Sequence, residues 1–303
     1  MYAKQWVHER KFPDPKISVE RTEVAGLHIR YAELGKENKE NLLMIHGGGI
    51  SIGAGAWTKI MPLLGRDYHV IAPDMPGYGE SQKPKEKISV NYYVGFIESF
   101  MEKMRISTAN LVAESFGGGV AMEYSIEHRE RVNNLALISS YGFADKKFSE
   151  EAYKLTRLSP QIQHVLIKAV AKSNLVASVL IKALLKGHNG SGPDNTQIYT
   201  IKDIVSKHDL SISCLEFVQS EVTKEGIRTN FNNKIQEINE TGIPILFLHG
   251  TRDALFPIEK QREAAMKLRN ARFVTMDSWH QPELTEPEQV SNEILKFLKR
   301  PNN

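Results

Sequence analysis

The sequence predicts an α/β protein with a mostly parallel sheet, helices on both faces of that sheet, and a helical insertion. Short apolar runs alternate with amphipathic stretches of helical period along most of the 303 residues. The runs are continuously apolar, which is typical of strands that helices cover on both faces. The stretch from about residue 142 to residue 240 contains no such run. It breaks the alternation and predicts a separate helical unit.

The elements follow from the order of these runs. Six apolar runs predict parallel strands: residues 42–45, 68–72, 109–113, 135–138, 243–248 and 272–276. Two earlier segments flank Ala25–Gly26 and predict an antiparallel hairpin at a sheet edge: residues 18–24 and 27–32. Helical patterns lie between the strands: residues 57–64, 90–104, 116–128, 258–268 and 288–298. Strands and helices in this order form a parallel sheet with right-handed crossovers.

The predicted helical unit defines the domain organisation. Residues 1–141 and 241–303 form the predicted core, and residues 142–240 form a cap. The cap carries five helical patterns: residues 150–157, 161–171, 175–186, 198–206 and 214–221. Open α/β sheets place their binding sites at the carboxyl ends of the strands. We therefore expect the cap to cover that edge.

Composition and charge exclude several classes of protein. Hydrophobic residues make up 41% and charged residues 25%, as in ordinary globular chains. The formal charge is +3 and the two signs are interspersed, so we expect no nucleic-acid partner. Cys214 is the only cysteine, which excludes an internal disulfide. The N-terminus lacks the apolar segment of a signal peptide, and lysines interrupt the most apolar stretch, residues 162–185. We expect a cytoplasmic protein without a membrane partner; a homo-oligomer is compatible with the sequence.

Ser115 lies at a predicted turn between a strand and a helix. A nucleophile on such a turn projects its hydroxyl above the sheet, and the residues two before and two after it must be small. Ala113 and Gly117 satisfy this requirement. Because the motif is short, a helix N-cap serine is the alternative interpretation.

His280 and Asp253 supply what a serine nucleophile needs. A serine hydroxyl is weakly nucleophilic at neutral pH and requires a base, usually histidine, which an acid orients. His280 follows the last predicted strand, and Asp253 follows the strand before it. Each residue alone also fits a surface loop or turn. Together with Ser115 they occur in the order Ser, Asp, His, each after a predicted strand, which predicts a Ser115–His280–Asp253 triad.

A glycine loop predicts where an oxyanion would bind. His46-Gly47-Gly48-Gly49 follows a predicted strand. The oxyanion of a tetrahedral intermediate needs preorganised N–H donors. We expect one donor from the backbone of Phe116 and the second from Gly48, with Gly49 as the alternative. A phosphate-binding loop is the other interpretation, but these glycines complete no nucleotide-binding motif.

Further predictions concern the surroundings of this site. The chain has no histidine or cysteine pairs at metal-ligand spacing, so we expect neither a metal nor a cofactor. Glu114 and Trp279, which adjoin the predicted nucleophile and base, are candidate substrate-binding residues. Asp74-Met75-Pro76-Gly77-Tyr78-Gly79-Glu80-Ser81 is a tight turn that we interpret as structural.

From about residue 20 to residue 300, the chain resembles an α/β hydrolase with a helical cap inserted between strands six and seven. The resemblance rests on the motifs just described: His46–Gly49, Asp74–Ser81, Ala113–Gly119, Asp253 and His280. It implies a sheet of eight strands and a serine hydrolase that acts through the predicted triad.

Two groups of α/β hydrolases are similar to this chain. The glycine loop and the cap resemble meta-cleavage-product hydrolases, which cut carbon–carbon bonds. Members of that group usually have Asn before the nucleophile and Trp after the histidine, where this chain has Glu114 and Gln281. They also use an arginine of the cap, and this chain has none between Arg157 and Arg228. Glu before the serine, together with the glycine loop, is similar to many carboxylesterases.

These resemblances imply a carboxylesterase-type serine hydrolase that acts on short- to medium-chain acyl esters of small molecules. The first alternative is a carbon–carbon hydrolase of meta-cleavage products, which are vinylogous diketones. The second alternative is a non-catalytic homologue that binds a small molecule. Turnover of esters, turnover of dienoates, or binding without turnover would discriminate the three hypotheses.

Overall fold

The computed structural model describes residue 12 and residues 14–48, 53–143, 150–171, 212–253, 255–256 and 258–299. These residues contain eight strands. In chain order the strands are β1 (Ser18–Val24), β2 (Leu27–Leu34), β3 (Asn41–Ile45), β4 (His69–Pro73), β5 (Ala109–Glu114), β6 (Val132–Ile138), β7 (Ile245–Gly250) and β8 (Ala271–Met276).

The strands form one sheet in the order β1-β2-β4-β3-β5-β6-β7-β8. β2 pairs antiparallel with β1 and with β4, and all the other pairs are parallel. This confirms the predicted mostly parallel sheet and the hairpin at its edge. The register of β5 places Ala113 opposite Ile45 of β3 and Leu137 of β6, so the ends of these strands lie side by side.

Helices cover both faces of the sheet. They are α1 (Met61–Leu64), α2 (Val90–Lys103), α3 (Ser115–Glu127), α4 (Glu150–Thr156), α5 (Pro160–Ala171), α6 (Ile212–Glu221), α7 (Ile235–Thr241), α8 (Ile258–Lys267), α9 (Pro282–Thr285) and α10 (Pro287–Leu298). One buried cluster packs α2, α3, α7 and α8 against the sheet, and the other packs α1 and α10 against its opposite face. Burial of these two apolar layers is the main driving force for folding.

One predicted helix, residues 57–64, is wrong in extent. The structure has a 3-10 helix at Gly53–Trp57 and the short helix α1, with Pro62 in its first turn. Proline lacks the N–H that a continuous helix needs, so it is tolerated in the first turn of α1 but breaks a helix that would begin at Trp57. The apolar periodicity across this segment therefore comes from two short elements that share one buried face.

The segment predicted as cap is described in part. α4, α5 and α6 fall on the predicted helical patterns, while the patterns at 175–186 and 198–206 lie outside the described residues. α7 lies at the end of the same predicted segment, contacts α3, and buries Ile238 in the core cluster. It therefore packs as one of the helices that cover the sheet.

The turn after β4 is built around a buried aspartate. The Asp74 carboxylate accepts hydrogen bonds from the Arg30 guanidinium at 3.0 Å and from the backbone N–H groups of Ala54 at 2.6 Å and Glu80 at 2.9 Å. Side chains on Gly53 or Gly79 would overlap this carboxylate. Asp74 therefore links β2, β4 and the segment before α1, as the structural interpretation of this turn predicts.

The strand order brings the candidate residues to one edge. β4 and β5 lie on opposite sides of β3, so the chain changes direction across the sheet at this point. Ligand sites of open α/β sheets lie outside the carboxyl ends of the strands at such switch points. The glycine loop follows β3, Ser115 follows β5, Asp253 follows β7 and His280 follows β8. Within the described ranges, every helix is too short or too polar to cross a bilayer.

Candidate active site

Ser115 occupies the sharp turn between β5 and α3. Its φ angle of 53° is in the left-handed region, which is strained for a residue other than glycine and persists only where the surroundings enforce it. A side chain on Gly117 would overlap the backbone carbonyl groups of Ile45 and His46, so α3 begins in direct contact with the end of β3. The Ser115 carbonyl accepts a hydrogen bond of 2.8 Å from the N–H of Tyr141. These contacts fix the direction of the Ser115 hydroxyl.

The structure brings together the three residues predicted as a triad. His280 Nε2 lies 2.9 Å from Ser115 Oγ, and His280 Nδ1 lies 2.8 Å from Asp253 Oδ2. The His280 side chain is 17% exposed, whereas the Asp253 side chain is fully buried. With Nδ1–H donating to the carboxylate, Nε2 is left to accept the proton of the serine hydroxyl.

Asp253 is held in place without help from His280. Its Oδ1 accepts hydrogen bonds from the backbone N–H groups of Leu255 at 2.7 Å and Phe256 at 3.2 Å. Its Oδ2 also lies 3.3 Å from His249 Nε2. The loop after β7 and His249 therefore orient the carboxylate independently of its contact with the His280 imidazole.

His249 and Gln261 support this aspartate, and the sequence analysis did not identify either of them. His249 is fully buried, and its Nδ1 lies 2.9 Å from Gln261 Oε1. The Gln261 amide in turn donates to the carbonyl oxygen of Ser140. The available signal was a polar histidine at the end of a buried strand, four positions before the predicted acid. Buried polar side chains require partners, so such a residue points to a network.

The electrostatics of the site favour an ionised Asp253 and a basic His280. Burial alone would raise the pKa of Asp253. The charge of His280 and the hydrogen bonds from His249 and His280 have the larger opposite effect, so they hold this pKa well below its usual range. Burial lowers the pKa of His280, but the Asp253 carboxylate, its hydrogen bond and the charge of Glu114 raise it above the ordinary value. The imidazole is therefore a stronger base than a histidine in water.

Two of the three residues predicted to form the oxyanion hole lie against each other. A Cβ placed on Gly48 would lie 3.1 Å from Phe116 Cδ1 and 3.3 Å from Tyr78 Oη. Phe116 directly follows Ser115 in the first turn of α3, where backbone N–H groups lack partners within the helix. Gly49, the alternative donor, lies outside the described residues.

Helix α6 packs beside Phe116, the residue after Ser115. The ring centre of Phe217 lies 4.8 Å from that of Phe116 and 5.6 Å from that of Tyr141. The Tyr141 hydroxyl donates to Glu221 at 3.0 Å. This helix of the predicted cap is thus joined to the start of α3 by aromatic packing and to the segment after β6 by a buried hydrogen bond.

The two candidate substrate-binding residues have contrasting surroundings. Glu114 is 2% exposed, its carboxyl group fills the space beside Gly47, and its Oε1 lies 3.6 Å from His280 Nε2. Trp279 is half-buried, and the guanidinium carbon of Arg252 lies 5.1 Å from the centre of one of its rings. A role of either residue in binding substrate stays a prediction.

Comparison with protein families agrees with the fold. Residues 40–166 match a family model described as alpha/beta hydrolase fold, and residues 219–303 match a second model described as TAP-like protein. Together the two matches cover more than half of the chain, and the ranges include Ser115, Asp253 and His280. The chain has the α/β-hydrolase fold and is a hydrolase of that superfamily.

The chain is similar to proteins with different reported activities. It is 25% identical to the 2-hydroxy-6-oxo-6-(2'-aminophenyl)hexa-2,4-dienoic acid hydrolase of Metapseudomonas resinovorans over 91% of this chain and 89% of that protein. A stretch of 103 residues is 41% identical to the 2-hydroxymuconate semialdehyde hydrolase of Pseudomonas sp. (strain CF600), covering 33% of this chain and 36% of that protein. The crystal structure of a membrane phospholipase A, a bacterial virulence factor, aligns with a TM-score of 0.68 and 25% identity over 93% of this chain and 86% of that chain.

Proposed function

We propose that the protein is a serine hydrolase in which Ser115 is the nucleophile, His280 the general base and Asp253 the orienting acid. The observation that carries the proposal is the continuous hydrogen-bonded series from Asp253 through His280 to Ser115, with distances of 2.8 Å and 2.9 Å. A serine on a strained strand-to-helix turn has little use in packing, and its alignment with a basic imidazole activates the hydroxyl.

The proposed reaction proceeds through an acyl-enzyme. Ser115 Oγ attacks the carbonyl carbon of the substrate while His280 Nε2 takes the hydroxyl proton. The tetrahedral oxyanion receives hydrogen bonds from the backbone N–H groups of Phe116 and Gly48. His280 then returns the proton to the leaving group, and the bond between the carbonyl carbon and that group breaks. A water molecule, deprotonated by His280, attacks the acyl-enzyme, and His280 returns the proton to Ser115 Oγ as the acid is released.

Carboxylic esters of short to medium acyl chain are the proposed substrates. Ester cleavage needs an activated serine, an oxyanion hole and a proton for the leaving alcohol, and we propose that Ser115, the N–H groups of Phe116 and Gly48, and His280 supply them. The likeness to a structure named as a phospholipase A also supports ester chemistry. The aromatic contacts of Phe116 with Tyr78 and Phe217 make the surroundings of Ser115 apolar, which suits an acyl chain.

A carbon–carbon hydrolase of vinylogous dienoates is the second candidate. It is favoured by the 25% identity, over nearly the full length of both chains, to the aminophenyl-hexadienoic acid hydrolase. The same triad and oxyanion hole would serve this reaction, but the leaving group is a carbon atom that must be protonated. The two candidates therefore differ in substrate and share the site.

The test compares a series of p-nitrophenyl esters, from acetate to palmitate, with a 2-hydroxy-6-oxohexa-2,4-dienoate. We expect turnover of the shorter esters by the wild type.

Ser115→Ala should reduce kcat by about 10⁶-fold, as for removal of the nucleophile in other serine hydrolases. Ser125→Ala, which removes another buried hydroxyl of α3, is the matched control and should keep its activity. Preference for the dienoate would favour the second candidate. Undiminished turnover by purified Ser115→Ala would overturn the mechanism.

A further inference from the structure

Glu114 is a buried acid that the proposed mechanism leaves without a role. It is the last residue of β5 and directly precedes the nucleophile. Its carboxyl group occupies the position that a Cβ on Gly47 would take, so glycine at position 47 creates the space for this acid. Its Oε1 lies 3.6 Å from His280 Nε2, the nitrogen that also faces Ser115. A charged group at this distance in a buried site interacts strongly with an imidazolium.

We propose that Glu114 is a positioning residue that carries negative charge beside Nε2 of His280, stabilises its imidazolium form, and thereby sets the pH range in which Ser115 is a nucleophile. This inference rests on the serine-hydrolase function proposed above. The imidazolium that forms when His280 takes the serine proton then lies between two carboxyl groups, Asp253 at Nδ1 and Glu114 at Nε2.

The other titratable groups near Glu114 do not cancel the effect of its charge on His280. Asp253 acts on His280 from the Nδ1 side and stays ionised at neutral pH because its pKa is held well below the usual range. His46, just before Gly47, accepts a hydrogen bond from the Met75 N–H at 2.9 Å, and burial lowers its pKa, so it contributes no positive charge.

Glu283, on α9, is the third neighbour. It is fully buried, and neither of its carboxyl oxygens has a hydrogen-bond partner among the described residues. Burial and the charge of Glu114 raise its pKa well above the usual range, which favours its neutral form. Glu114 therefore supplies the negative charge on this side of the imidazole.

Glu114 and His280 titrate as a pair. Burial raises the pKa of Glu114 to about 7, against the opposing effect of the His280 charge and a hydrogen bond from Gly47. The charge of each group shifts the pKa of the other, so their protons leave in two macroscopic steps that belong to the pair. An ionised Glu114 makes it harder to remove the proton from His280. Replacing Glu114 by glutamine should therefore lower the pKa of the histidine.

The first experiment measures the rate at which a fluorophosphonate labels Ser115 as a function of pH, because this reagent reports serine activation without requiring a known substrate. For wild type we expect the rate to fall in acid with an apparent pKa above 6.5. For Glu114→Gln the midpoint should move to lower pH, with the largest gain in labelling rate near neutral pH, where Glu114 of the wild type ionises. Glu123→Gln, a buried carboxylate of α3 that pairs with Lys234, is the control and should keep the wild-type profile.

A merely structural role for Glu114 predicts a rate that changes equally at every pH, and an unchanged midpoint would overturn the inference. Failure of folded wild type to react at any pH would instead overturn the proposed serine-hydrolase function. A second measurement covers the case in which Glu114→Gln does not fold. In Ser115→Ala, the ¹⁵N chemical shifts of the His280 ring should titrate in two steps, and a single step would contradict the coupling to Glu114.

Discussion

At the residue scale, the glycine loop shows that adjacent glycines serve different purposes. A side chain on Gly47 would displace the Glu114 carboxyl, and a side chain on Gly48 would press on the rings of Phe116 and Tyr78. The sequence pattern predicts only that backbone comes close to a substrate here. Glycine at position 47 is required by a buried acid, which makes the identities of residues 47 and 114 interdependent.

Replacing Asp253 tests whether this residue orients His280 in the proposed mechanism. Asp253→Asn keeps the size of the side chain but removes the charge that raises the pKa of His280 and holds its Nδ1–H in place. We expect kcat to fall by about 10³–10⁴-fold with a smaller change in KM, as for loss of a triad acid elsewhere. Steady-state kinetics on the best ester of the series measures this. Asp277→Asn, an exposed acid paired with Arg252, is the control. A loss below tenfold for Asp253→Asn would contradict the proposed role.

At the element scale, the turn between β5 and α3 depends on how closely the helix approaches β3. Gly117→Ala would bring a methyl group against the carbonyl groups of Ile45 and His46. These are backbone atoms, so relieving the overlap requires α3 or β3 to shift. We expect a loss of unfolding free energy of about 1–3 kcal/mol, together with reduced activity because Ser115 shifts. Chemical denaturation measures the loss of unfolding free energy, and ester kinetics measure the loss of activity.

Gly95→Ala in α2 is the matched control for Gly117→Ala. Gly95 is exposed, and an added Cβ would meet no atom within 4 Å. Alanine favours a helix over glycine by about 0.5–1 kcal/mol, so this variant should be slightly more stable than wild type. Equal destabilisation of both variants would show that the close approach of α3 to β3 is not the cause.

Elements were predictable where one physical signal dominates. The parallel strands are continuous apolar runs because helices cover both of their faces, and all of them appear in the sheet. The helix predicted for residues 57–64 failed because periodicity alone ignores the missing N–H of Pro62.

At the scale of the whole molecule, the sheet joins residues that lie far apart in the chain. Ser115 and His280 are 165 positions apart, and only the order of the strands makes them neighbours. Their chain order and their positions after strands were sufficient to predict the meeting. His249, Gln261 and Glu283 gave no comparable signal, because their importance arises from burial and from partners that belong to other elements.

Glu283 gives a prediction about the pH dependence of global stability. Its pKa is raised in the folded state by burial and by Glu114, whereas in the unfolded chain it is close to the ordinary value of a glutamate. The folded protein therefore retains a proton that the unfolded chain has lost. Above about pH 4.3 this mismatch lowers the free energy of unfolding by up to about 1.4 kcal/mol per pH unit, until the pH reaches the folded-state pKa.

Glutamine cannot ionise, so Glu283→Gln removes this penalty. We expect the variant to match wild type near pH 4 and to exceed it increasingly toward neutral and alkaline pH, as measured by urea denaturation across that range. Glu102→Gln, which changes an exposed glutamate of α2, should follow the wild-type curve. If Glu283→Gln and wild type instead differed by a constant amount at every pH, Glu283 would have the same protonation state in the folded and unfolded chain, and the buried neutral acid beside Glu114 would be disproved.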